Sequence, residues 1–86
     1  MKEEMKAILK EEFRTLALRT RYNLGLTQDK MSEKLGISER AYSNIENGRS
    51  TCGTLTAIML LMYTDNSVIF IQNMQTRFEE IGAREK

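Results

Sequence analysis

An all-α fold of five helices is predicted by three observations. No proline occurs in the 86 residues, so nothing breaks a helix from within. Apolar side chains recur in steps of three and four rather than in alternation, which gathers them on one face of a helix. Glycines and capping Ser or Thr residues punctuate the chain at intervals that suit helices,.

The first helix is expected from about Lys2 to Asn23. Its apolar stripe is Met5, Ile8/Leu9, Phe13, Leu16/Ala17, Thr20 and Leu24. Glu3 and Glu4 fall in its first turn, where the helix dipole favours negative charge. Gly25 supplies the left-handed stop. Thr27 then caps a short second helix, with Asp29 in the first turn and Met31 and Leu35 four apart. Gly36 interrupts again, and Ser38 caps a third helix that turns Ala41, Tyr42 and Ile45 inward and ends at Asn47-Gly48. A fourth helix is expected over about Thr54 to Tyr63 and a fifth over about Asn66 to Ile81, joined through Thr64-Asp65.

Composition narrows the function. The length suits one domain, residues 1–86. A single cysteine excludes an internal disulfide, and Cys52 has no second metal ligand near it, so it reads as a small packed side chain,. With no histidine there is no catalytic triad, His-based zinc site or near-neutral imidazole base,. No carboxylate, serine or lysine pattern marks a positioned acid–base pair. We expect neither catalysis nor a metal or other cofactor. Acids at the start of the chain argue against a secretory leader. The longest apolar run, Ala57 to Tyr63, is seven residues against about 20 for a membrane span. The expectation is a small cytoplasmic protein with no membrane partner. Lys2, Lys6 and Lys10 read as a solvated face, and Met59, Met62 and Met74 as packing.

The net charge of +1 hides an asymmetry. Residues 1–50 hold ten bases and eight acids, while residues 51–86 hold three bases and four acids. Within residues 13–50 there are seven bases and four acids. The front of the chain is the basic part.

Two short capped helices joined by a glycine-containing turn have the spacing of a DNA-binding helix-turn-helix. With Gln28 as the first position of the unit, Gly36 is the ninth. Met31, Leu35, Ile37, Tyr42 and Ile45 hold the pair together, and Ser32 is the small residue at their closest approach. The segment from Leu24 to Ser50, with its Gly-Leu-Thr-Gln opening, Leu-Gly-Ile-Ser turn and Ile-Glu-Asn-Gly-Arg ending, resembles the phage-repressor/Cro (XRE-type) helix-turn-helix family of prokaryotic regulators. The resemblance covers about residues 13–63 and implies a lambda-repressor-like fold with an extended first helix.

The resemblance further implies a transcriptional regulator that reads the DNA major groove with the third helix. Glu39, Arg40 and Asn44 are the expected base contacts. Thr27, Gln28, Ser43, Asn47, Arg49 and Ser50 are the expected phosphate contacts. Arg21 and Glu46 are expected to form a structural ion pair between the first and third helices. Thr20, Tyr42 and Cys52-Gly53 depart from the residues usual in the family (leucine, isoleucine or valine, and a proline opening the fourth helix).

The fourth helix is apolar on every side and the fifth nearly so, which a chain of this size cannot bury alone. We therefore expect a two-fold homodimer, with residues 64–86 as the dimerisation helix and Leu60, Leu61, Tyr63, Val68, Phe70, Ile71, Met74 and Phe78 at the interface. Two reading heads would then face a palindromic site. The competing expectation is an antitoxin-like interaction module whose apolar C-terminal helices bind a toxin-like partner protein.

Overall fold

Five helices follow one another in the computed structural model, which describes residues 2–85. They are α1 (Lys2–Leu24), α2 (Gln28–Leu35), α3 (Glu39–Glu46), α4 (Thr54–Tyr63) and α5 (Ser67–Glu85). Met1 and Lys86, the outer limits of the predicted domain, lie outside the described residues.

The start of each short helix has a local cause. The Thr27 hydroxyl accepts a hydrogen bond from the Lys30 amide at 3.2 Å, and the Ser38 hydroxyl accepts one from Ala41 at 3.0 Å. Each satisfies an amide that would otherwise lack an intrahelical partner. Between them Gly36 adopts φ 71°, a conformation that costs a side-chain-bearing residue about 1–2 kcal/mol. Asn66 lies just outside α5, where its side-chain oxygen accepts from the Ile69 amide. With no stop at Ile81, α5 runs to Glu85.

The main core gathers Phe13, Leu16 and Ala17 of α1, Met31 and Leu35 of α2, Tyr42 and Ile45 of α3, and Leu60 of α4. Among the polar side chains buried with it are those of Thr20 and Tyr42. The Thr20 hydroxyl donates to the Leu16 carbonyl at 2.7 Å, and the Tyr42 hydroxyl donates to the Ala17 carbonyl at 3.1 Å. Both departures from the family pattern thus use α1 carbonyls, avoiding an unpaired buried group. Leu24, expected on the buried stripe, is 40% exposed. The chain reverses at Gly25, and Leu26 packs against the core instead.

A second, smaller core lies between the front of α1 and α5: Ile8, Met74 and Ile81, flanked by Met5, Leu9, Phe70 and Phe78. The Phe13 and Phe70 rings, 4.9 Å apart, bridge the two cores. Ion pairs run along the seam, Glu4 with Arg84, Glu11 and Glu12 with Arg77, and Arg19 with Asp65. Their order makes the contact antiparallel and the molecule elongated, 44 × 23 × 18 Å.

The expected interface residues take different places in these cores. Leu60 is fully enclosed within the protomer and Met74 is 9% exposed. Phe70 and Phe78 face α1 in part, and Leu61 and Tyr63 pack partly on the main core. On α4 only Thr56 and Leu60 are buried. Leu55, Ile58 and Met62 stand exposed on the opposite side, as do Val68 and Ile71 on α5.

Candidate nucleic-acid interface

Helix α3 has two faces. Tyr42, Ile45 and Glu46 are buried, whereas Glu39 and Arg40 are exposed and Ser43 and Asn44 half-buried. The division follows from the 3.6-residue period of the helix. It leaves an outward row of hydrogen-bonding groups held by an inward row that anchors them.

The anchor is Glu46. Its side chain is 3% exposed, and that of Arg21 is 16% exposed. The carboxylate accepts from Arg21 Nε at 2.7 Å and Nη2 at 3.1 Å, and from Gln28 Nε2 at 2.9 Å. Arg21 Nη1 donates to the Leu26 carbonyl at 3.2 Å, and Arg14 Nε donates to the Glu46 carbonyl at 3.1 Å. One residue of α3 is thereby tied to α1 twice and to α2 once. Burial pushes the Glu46 carboxyl up, but the hydrogen bonds of Arg21 and Gln28, the nearby Tyr42 hydroxyl and the Arg21 charge outweigh it and hold it below the ordinary range,. The Glu46 hydrogen bond in turn raises Arg21, and burial raises the Tyr42 phenol.

On the outward side, Gln28, Glu39, Arg40, Ser43, Asn44 and Arg49 line one open concavity. This set joins all three expected base contacts to three of the six expected phosphate contacts. The other three lie elsewhere. The Thr27 oxygen caps α2, Asn47 is exposed at the end of α3 with its amide donating to Ser43 Oγ, and Ser50 is half-buried. The Ser50 and Arg49 amides both donate to the Asn44 carbonyl, which fixes the loop beyond α3.

Gln28 has a second task that sequence reading missed, since one amide N–H is engaged by Glu46. Arg14 was missed too. Its side chain lies against Gly48, where an added Cβ would meet Arg14 Cδ at 3.4 Å. The seven-residue spacing of Arg14 and Arg21 was the available signal, because it places both on the same side of α1.

Burial raises the Cys52 thiol to about 11, which keeps it in the neutral form. Among the described residues no three Cys, Asp or Glu side chains gather in a way that could hold a metal ion. No helix of the described chain is long and apolar enough to cross a membrane.

A family model described as a helix-turn-helix domain matches residues 18–67. That range runs from the second half of α1 to the first residue of α5 and includes the whole concavity. No curated protein and no solved structure matches the chain. The chain belongs to the helix-turn-helix domain family.

Proposed function

We propose that this protein is a sequence-specific DNA-binding transcriptional regulator of the phage-repressor/Cro type, reading the major groove with α3. The observation that carries the reading is the single concavity in which Glu39, Arg40 and Asn44 meet Gln28 and Arg49. Arg40 suits the two acceptors on a guanine edge, Asn44 suits adenine, and Glu39 accepts from a cytosine amino group. Gln28 and Thr27 at the start of α2 hold one strand's phosphates, and Ser43, Asn47, Arg49 and Ser50 hold the other flank.

The protein acts as a two-fold dimer on a palindromic site, with the two α3 helices about 34 Å apart. Support comes from the exposed apolar side chains Leu55, Ile58 and Met62 on α4 and Val68 and Ile71 on α5, which a second copy would remove from water.

Selection of bound duplexes from a random pool tests the reading, and an enriched inverted repeat is expected. On that repeat Arg40→Ala relaxes specificity at one base pair and costs about 1–3 kcal/mol. Arg49→Ala weakens binding to all sequences alike and lowers the salt slope by about 1. Equal losses on cognate and scrambled duplexes for Arg40→Ala would remove it from the base-reading set.

A further inference from the structure

Lys6, Lys10 and Arg14 recur every four residues along α1, a spacing that keeps successive side chains on neighbouring positions of one helix face. Lys6 and Arg14 are exposed and Lys10 is half-buried. Three of the four acids of the same segment are engaged elsewhere, Glu4 by Arg84 and both Glu11 and Glu12 by Arg77, while Glu3 is exposed and in no ion pair among the described residues. Among the described residues, none of the three bases is in an ion pair. The α1–α5 seam thus neutralises three of the four acids at the front of α1 and leaves Lys6, Lys10 and Arg14 against the single charge of Glu3.

The row starts at the edge of the reading surface. Arg14 donates to the carbonyl of Glu46 and lies against Gly48, and the next residue, Arg49, lines the concavity. From Arg14 to Lys6 the helix rises about 12 Å, which matches the axial length of three to four base pairs at about 3.4 Å each.

We propose that Lys6, Lys10 and Arg14 hold backbone phosphates of the duplex just outside the half-site read by α3. The proposal rests on the DNA-binding reading above and replaces the solvated role expected for Lys6 and Lys10. The row extends the footprint of each protomer without adding sequence information, because phosphate contacts position a protein but do not read bases.

The test uses the full chain and the selected duplex in two forms, trimmed to the enriched repeat or carrying flanks of about one helical turn (10 base pairs) on each side. Lys6→Ala/Lys10→Ala removes two phosphate contacts per protomer. On the flanked duplex the slope of log affinity against log salt falls by about 2 per protomer, so the wild type loses roughly tenfold more affinity per protomer than the variant between 50 and 200 mM salt. On the trimmed duplex the two proteins bind alike. Lys6→Arg/Lys10→Arg restores the flanked behaviour, which separates charge from fold. An unchanged slope on the flanked duplex, with sequence preference intact, overturns the lysine row and leaves the reading of α3 standing. A wild-type protein without sequence preference overturns both.

Discussion

A carboxylate almost out of reach of water is costly unless its oxygens are satisfied. Glu46 is satisfied by two nitrogens of Arg21 and one of Gln28, so removing either side strands the other. Glu46→Ala is expected to lower the unfolding free energy by about 3 kcal/mol, as read by urea denaturation at neutral pH. The folded carboxyl titrates below its ordinary value of 4.5. Its contribution is therefore complete above about pH 4.5 and lost as pH falls through the lowered folded value,. Glu46→Gln should flatten the acid limb of the stability curve, and an acid limb unchanged from the wild type would remove Glu46 as its source. The Arg21–Glu46 pair was legible in the sequence because a family resemblance pointed to it. The hold of Gln28 and Arg14 on the same residue was not, since hydrogen bonds across 18 and 32 residues leave no local pattern.

At the scale of elements, the helix-turn-helix is specified by local chemistry. Ser38→Ala removes the α3 cap and should cost about 1 kcal/mol. Gly36→Ala forces a Cβ into the left-handed region and should cost about 1–2 kcal/mol, although an added Cβ meets no atom within 4 Å. Thermal unfolding of the two variants checks both, and a neutral Gly36→Ala would mean the turn relaxes. These same local rules made α2, α3 and α4 readable almost to the residue. They failed at the end of α5, where Gly82 stays inside the helix and no cap marks Ile81 as the last turn. They also failed to orient α4. Eight of its ten residues are apolar, so the pattern cannot say which side meets the protomer and which meets solvent. Packing decides it, and places Thr56 and Leu60 inward.

The whole molecule has two cores joined at Phe13 and Phe70, and only the first includes residues of α2 and α3. Leu60→Ala opens a cavity in that core and should cost about 2–5 kcal/mol. Ile58→Ser, on the exposed side of α4, should leave the protomer's unfolding free energy nearly unchanged while shifting sedimentation from dimer to monomer. A wild type that sediments as a monomer at every micromolar concentration would contradict the dimer. Glu39, Arg40, Ser43 and Asn44 contribute nothing to the buried sets, whereas Tyr42, Ile45 and Glu46 carry the packing of α3. The outward row can therefore be exchanged with little effect on folding, and on the proposed reading a few surface substitutions there would change the DNA sequence bound. If α3 reads bases as proposed, retargeting the protein is a matter of rewriting the three proposed base contacts, Glu39, Arg40 and Asn44, on an unchanged frame.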